Sequence, residues 1–372
     1  MKIARIEAIP LAIPHDHGGP PPAWGGQEWD GLTILLVRID TEDGATGWGE
    51  AFSYNCMKAV KAVVDSTVAP VLIGRDAADI ARIGRDLQQA LHLFGRYGIT
   101  LFGISAVDIA LWDLAGKRAG LPLGRLLGGP AEPPLVPGYA SLFKYRDPEL
   151  VAETVRAALA EGYRAIKLHE TDEPEIAAAR AAMGDGVPLC VDVNCPWTPD
   201  EARRMAARLK PYGLHWLEEP IFPPEDFAAL ARLQRESGID LACGENASTA
   251  FEFQSLLDAG AARYVQPSVT KLGGVTEFLK VLALAETHGA AVMPHSPYFG
   301  PGWLATLQLF AAMPLTGRAG GGWIERFHTR LEATLYPGLV SPVEGGRFRI
   351  PTGPGLGAEP DPDVIRDYRV AG

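Results

Sequence analysis

The spacing of apolar residues changes character along the chain. Residues 1–14 and 32–40 are short apolar runs, and Asp43-Gly44 after the second marks a hairpin turn. The period then becomes helical, which predicts helices over 57–70, 76–94 and 99–119. In ISAVDIALWDLAGKRAG, Ile104, Val107, Leu111 and Leu114 share one face, and Gly120 supplies the stop. Residues 15–31, rich in Gly, Pro and Trp, read as a mobile loop. Strands followed by helices make the first 130 residues an α+β unit.

Past Gly128-Gly129-Pro130 the pattern changes. Short apolar runs alternate with helix-like stretches such as the Ala- and charge-rich segment 200–209. The runs are VPGYASL (136–142), AIKLHE (165–170), LCVDVN (189–194), HWLEEP (215–220), LACGEN (241–246), RYVQPSV (263–269), AVMPHS (291–296) and GGWIER (321–326). Eight strands with seven helices between them predict a parallel barrel, because parallel neighbours need a long crossover. The expected α/β architecture is a (β/α)7β modified TIM barrel over 131–330. An α+β capping domain over 1–130 covers it, and a C-terminal segment over 331–372 returns to the cap.

Composition narrows the class. Hydrophobic residues are 47% and charged residues 21%, which excludes disorder as the main state. The formal charge is −11 and no basic run stands out, so nucleic acid and anionic membrane are poor partners. Arg5 and Glu7 interrupt the first apolar run, which reads as a strand and not a signal peptide. No stretch of about 18 apolar residues is evident for a membrane span. Cys56, Cys190, Cys195 and Cys243 form no CxxC pair, and a cytoplasmic protein with reduced thiols is expected.

The chemistry lies at the ends of the apolar runs. Lys167 and His169, then Asp192, Glu218, Glu245, His295 and Glu325 stand where strand cores should be Val, Ile or Leu. From Lys167 the steps are 25, 26, 27, 50 and 30 residues, each one strand–helix unit except the 50, which is two. In a barrel such positions converge on one mouth. Three bare carboxylates, Asp192, Glu218 and Glu245, would repel one another unless a cation sat between them. All-oxygen ligation with open positions suits Mg²⁺. Lys167 and His169 point the same way from one strand, and His295 arrives from the far side of the mouth. A small-molecule carboxylate held between the histidines could lose its α-proton, with Lys167 and the ion countering the charge of the enediolate. Glu325 could donate a hydrogen bond if burial beside other acids keeps it protonated.

These residues resemble the enolase superfamily, in its mandelate racemase-like branch. The resemblance runs through DGATGWGEA (43–51), GISAVDIALWDLAGK (103–117), VDVN (191–194), WLEEP (216–220), GEN (244–246), KLGGVTE (271–277), PHS (294–296), WIE (323–325) and PTGPGLG (351–357). It implies a Lys or His base working with Mg²⁺. Asp192, Glu218 and Glu245 then match the metal ligands, Lys167 the carboxylate-contacting lysine, and His169 and His295 the acid/base pair. Glu325 matches the glutamate that bonds the substrate carboxylate, and Asn194 a polar position near the metal. Loops around 15–31 and 52–58 become the lid; by residue type, Trp24, Tyr54, Trp29 and Phe52 in them could line a substrate pocket or equally pack beneath the loops. Symmetric homo-oligomers are expected. Two departures stand out. His169 replaces the second lysine of a Lys-x-Lys pair. Ser268 stands where the branch has an aspartate behind the strand-7 histidine.

The implied activity is an acid-sugar (aldonate or aldarate) dehydratase with His169 as base and His295 as acid. The alternative is a racemase or epimerase of a 2-hydroxy or amino carboxylate. A relic barrel that only binds would not retain every ligand type. A Schiff base at Lys271, a nucleophile at Cys195 and a phosphate cradle at Gly273-Gly274 are weaker readings, since Lys271 has no obvious desolvated setting.

Overall fold

A computed structural model describes residues 1–21, 23–24, 27–28, 31–313 and 322–371. The chain opens with β1 (Ile3–Ile13), β2 (His15–Asp16), β3 (Ala23–Trp24), β4 (Gln27–Glu28), β5 (Leu32–Thr41) and β6 (Thr46–Ala51). Then come α1 (Met57–Val63), α2 (Ile80–Ala90), α3 (Gly98–Ala119) and α4 (Leu123–Leu126). The 15–31 segment thus carries three two-residue strands and is not all loop. The first predicted helix is shorter, and passes into a π turn at Val64–Val68. The second begins at Ile80, several residues late, because Asp76 and Asp79 sit in turns that precede it.

β1, β5 and β6 form an antiparallel sheet, and α3 covers it. Gly47 and Gly49 alternate on the β6 face that meets α3. A Cβ at either would lie 2.3 Å from the Ala110 carbonyl oxygen or 1.9 Å from that of Ala106, so only glycine allows this approach. By length and composition α3 could cross a membrane, but 78% of its apolar window is buried inside the protein. It is a core helix.

The barrel strands are β7 (Val136–Ser141), β8 (Ile166–Leu168), β9 (Leu189–Asp192), β10 (Trp216–Glu218), β11 (Leu241–Cys243), β12 (Tyr264–Val265), β13 (Ala291–Val292) and β14 (Ile324–Phe327). Seven helices connect them: α5 (Pro148–Ala160), α6 (Glu173–Met183), α7 (Pro199–Leu209), α8 (Phe227–Ser237), α9 (Thr249–Ala259), α10 (Gly274–His288) and α11 (Pro301–Ala312). The parallel order runs β13-β12-β11-β10-β9-β8-β7-β14. Between its two end strands, Trp323 N–H lies 3.2 Å from Met293 Sδ, and Glu325 N–H donates to Ser296 Oγ at 3.1 Å. Tyr139, Ala165, Cys190, Trp216, Ala242, Tyr264 and Met293 pack as one interior layer. Six of them stand two residues before a polar mouth position: Ser141, Lys167, Asp192, Glu218, Gln266 and His295. Period-2 alternation therefore places dry packing directly beneath the chemistry.

Past the barrel lie β15 (Arg330–Leu331), which pairs with β2, β16 (Arg347–Phe348), which pairs with β7, and α12 (Pro362–Asp367). The last residues return to β1, where Val370 N–H donates to the Pro10 carbonyl and Ala12 N–H to that of Tyr368. Acidic side chains of the N-terminal unit cap barrel helices. Glu50 accepts the Gly302 N–H of α11 at 2.8 Å, and Asp108 accepts the Thr276 N–H of α10 at 2.9 Å. These caps fasten the N-terminal unit to the barrel.

Burial raises Glu50 to about 8 and Asp108 to about 7, against partial relief from the amides they accept. The folded state therefore keeps protons that the unfolded chain releases near pH 4–5. That stability is present below pH 4 and is lost as pH rises toward 8, at up to about 1.4 kcal/mol per pH unit per group. Urea titrations from pH 5 to 8.5 should show a shallower decline in Glu50→Gln than in the parent. Parallel declines would contradict the neutral cap.

Candidate active site

The strand ends deliver the ionisable groups to one mouth. Lys167 lies in β8 with His169 just beyond it, Asp192 ends β9, Glu218 ends β10 and Glu325 lies in β14. Glu245 and His295 follow β11 and β13. One oxygen from each of Asp192, Glu218 and Glu245 falls within 4.8 Å of the others. Asp192 and Glu218 are fully buried, and Glu245 is partly so. Trp216, on the same face of β10, donates its indole N–H to Glu218 Oε2 at 2.8 Å.

Lys167 is the cation of this cluster. Its Nζ lies 2.7 Å from Glu325 Oε1, 3.0 Å from Glu218 Oε1 and 3.4 Å from Asp192 Oδ2. Burial pulls the ammonium down, but Glu218 and Glu325 more than reverse this and hold it well above its ordinary value. Burial pushes Asp192 up, yet Lys167 and His169 keep it below the usual carboxylate range. Glu218 is raised, by burial and then by the charge of Asp192. Burial also pushes Glu245 up, and His295 with Lys271 outweighs it, leaving Glu245 well below that range.

The expected protonated Glu325 is corrected. Burial does push it upward, but Lys167 and then His295 pull it below the ordinary value. It also accepts the Ser141 hydroxyl at 2.7 Å and the Ser296 N–H at 3.3 Å. Glu325 is an ionised anchor for Lys167, not a donor.

The histidines reach the carboxylates from two flanks. His169 Nε2 is 3.5 Å from Asp192 Oδ2, and His295 Nε2 is 3.0 Å from Glu245 Oε2. Asp192 and Glu245 belong to strands on either side of β10. Behind His295, Ser268 Oγ lies 3.3 Å from Nδ1, as the sequence places it, but Tyr298 OH lies as close, at 3.2 Å. Asn194 is exposed, and its backbone N–H donates to Asp192 Oδ1 at 2.9 Å. Tyr54 donates its hydroxyl to the Pro297 carbonyl, which ties the lid segment to the loop after β13. The Trp24 side chain and Trp29 lie outside the described residues.

The sequence reading misplaced Lys271 and passed over Glu219 and Tyr298. Lys271 is buried, contrary to expectation, because Phe52 packs over it. Its Nζ lies 3.5 Å from Glu245 Oε1 and 4.8 Å from the centre of the Phe52 ring. Its place in KLGGVTE, just past a strand end, was the available signal. Glu219 accepts Asn246 Nδ2 at 2.8 and 3.0 Å, and burial with the charge of Glu245 raises it to about 8. It hid as the second acid of WLEEP. Tyr298 hid three residues past His295.

The pocket thus gathers five carboxylates, Asp192, Glu218, Glu219, Glu245 and Glu325, around two ammonium groups, Lys167 and Lys271. An all-oxygen donor set with surplus negative charge fits a hard divalent cation held by Asp192, Glu218 and Glu245.

Comparison with known proteins agrees. Residues 149–364 match the family Enolase C-terminal domain-like, and residues 29–128 match Mandelate racemase / muconate lactonizing enzyme, N-terminal domain. The chain belongs to the mandelate racemase-like branch of the enolase superfamily. It is 42% identical to a 3,6-anhydro-alpha-L-galactonate cycloisomerase of Streptomyces coelicolor, over 70% of this chain and 74% of that one. It is 31% identical to an arabinonate dehydratase of Saccharolobus solfataricus, over 91% of each. A crystal structure of a racemase from Streptomyces coelicolor A3(2), with bound magnesium, superposes with a TM-score of 0.86 at 33% identity, covering 99% of this chain and 100% of that one.

In this enolase-superfamily site, removing Lys167 would strand three buried carboxylates. Lys167→Met should cost about 3–5 kcal/mol in metal-free denaturant unfolding, and added Mg²⁺ should recover part of it. An unchanged midpoint would contradict the placement of Lys167.

Proposed function

We propose that the protein is a Mg²⁺-dependent acid-sugar dehydratase, a hydro-lyase that removes the β-hydroxyl of an aldonate or aldarate to give a 2-keto acid. The observation that carries this reading is the company of His169. Its Nδ1 lies 2.6 Å from the Leu142 carbonyl oxygen. A carbonyl only accepts, so Nδ1 holds a proton and Nε2 is the nitrogen left to serve as a base. Nε2 faces the carboxylate cluster, 3.5 Å from Asp192 Oδ2, where a substrate acid would lie.

His169 Nε2 takes the α-proton, and the C–H electron pair moves toward the substrate carboxylate. Lys167, anchored by Glu325, opposes the charge that gathers there. A divalent ion on Asp192, Glu218 and Glu245 would supply Lewis-acid stabilisation of the same carboxylate. The pair then returns to form C=C as the β-carbon–oxygen bond breaks. Protonated His295 gives its Nε2 proton to the leaving oxygen, which departs as water and leaves the ring neutral. The enol tautomerises to the 2-keto acid. Tyr54 and Phe52 on the lid segment would exclude bulk water.

The 42% relative favours a second reading on the same chemistry. In a 3,6-anhydro acid the β-oxygen belongs to a ring. Its elimination opens that ring without loss of water, and the enzyme is then an isomerase. Racemisation is less well supported, because it needs both histidines as bases.

Incubation of aldonates, aldarates and 3,6-anhydro acids with Mg²⁺ should yield a product that reacts with a carbonyl reagent. Its mass separates the readings: lower by one water for the dehydratase, unchanged for the cycloisomerase. His169→Asn should lower turnover by about 10²–10⁴-fold. No keto acid from any of these acids, or full activity in His169→Asn, would refute the reading.

A further inference from the structure

Side chains alternate along β14, so Arg326 points away from the mouth that its neighbour Glu325 faces. Arg326 is 6% exposed, yet it forms no ion pair with any described carboxylate. A buried charge without a counter-ion is costly. Burial lowers the guanidinium to about 10, which leaves it charged at neutral pH. Of its three nitrogens only Nη1 has an acceptor among the described residues, the Tyr298 carbonyl at 3.2 Å. The guanidinium carbon lies 3.7 Å from the centre of the Phe299 ring and 5.2 Å from that of Trp303, so its faces are engaged and its edge is not. Nε and Nη2 make up that edge, a fork that matches the two oxygens of a carboxylate.

Arg326 lines a cavity of about 520 Å³, the size of a small-molecule site. Tyr163 lines it too, at 3% exposure, and its hydroxyl has no hydrogen-bond partner among the described residues. Burial raises Tyr163 to about 12, so the hydroxyl keeps its proton. Neither this hydroxyl nor the free edge of Arg326 is sealed from solvent. The acids in the wall are matched or peripheral. Asp16 pairs with Arg330 at 2.9 Å, Glu161 faces His328 at 3.2 Å, and Glu153 is exposed. The inner wall thus presents one unneutralised cation beside one unused hydroxyl.

We propose that this cavity binds a small organic carboxylate, held by the Nε and Nη2 edge of Arg326 and by the Tyr163 hydroxyl. The ligand supplies the counter-ion that the protein withholds from Arg326, and the rest of it fills the cavity toward α5, which contributes Thr154 and Ala157 to the wall. The site is separate from the mouth and needs neither Mg²⁺ nor the reaction proposed above.

Nitrogen-15 NMR of the arginine Nε–H groups, in full-length protein with Mg²⁺ at neutral pH, tests this with pentanoate as the probe. Pentanoate has no β-oxygen to eliminate, so turnover cannot intrude. Loss of a signal in Arg326→Lys identifies the residue. That signal should move saturably as pentanoate is added, and pentanamide, the uncharged analogue, should leave it in place. Tyr163→Phe should weaken binding by about 10-fold, the worth of one hydrogen bond to a charged group. Ala157→Trp fills the cavity from α5 with Arg326 left in place. It should abolish the shift, which separates this site from pentanoate held at the mouth. A signal that stays put in the wild type, or moves equally with pentanamide, overturns the proposal. So does an unchanged midpoint in Tyr163→Phe or an unchanged response in a folded Ala157→Trp. If Arg326→Lys does not fold, calorimetric titration of pentanoate decides, and equal affinity in the wild type, Tyr163→Phe and Ala157→Trp overturns the proposal.

Discussion

Too much negative charge in too small a buried space governs this protein. Two carboxylates within 4.8 Å of each other repel by at least about 3 kcal/mol at an effective dielectric near 20. Three such groups, with Glu219 and Glu325 beside them, cannot all ionise against two ammonium groups without a further cation. The chain spreads what charge it has. Lys167 touches three of the acids, Lys271 leans on Glu245, and each histidine covers one outer member. The remaining deficit is what a divalent ion would fill. The same surplus gives the site its use, since a field built to hold a cation also stabilises charge that appears on a bound carboxylate.

The scaffold serves that pocket from two directions. Below it, an apolar layer of Tyr139, Cys190, Trp216 and Tyr264 keeps water from screening the charges. Above it, the lid segment is fastened by Phe52 over Lys271 and by Tyr54 on the Pro297 carbonyl. Glu50 and Asp108 clamp the N-terminal unit to barrel helices. Glycine at 47 and 49 lets α3 lie close enough for those acids to reach.

Much of this was legible in the chain. A strand end in a parallel barrel is a fixed address, so ionisable residues recurring every 25 to 27 positions had to meet, and Asp192, Glu218 and Glu245 do. What stayed hidden depends on three-dimensional neighbours. The burial of Lys271 comes from the distant residue Phe52. The charge state of Glu325 is set by Lys167, which outweighs its acidic surroundings. Tyr298 comes within reach of His295 through a loop whose path carries no local periodicity. Short strands within the 15–31 segment form by pairing with one another and with residues near 330, which composition cannot reveal.

Calorimetric titration of Mg²⁺ into the metal-free protein tests the central requirement most directly. One ion per chain should bind, and Asp192→Asn, Glu218→Gln and Glu245→Gln should each weaken it by at least about 100-fold, the upper end of what even outer ligand partners cost. Equal affinity in the wild type and all three variants, or no binding to the wild type, would contradict a cation shared by these three side chains.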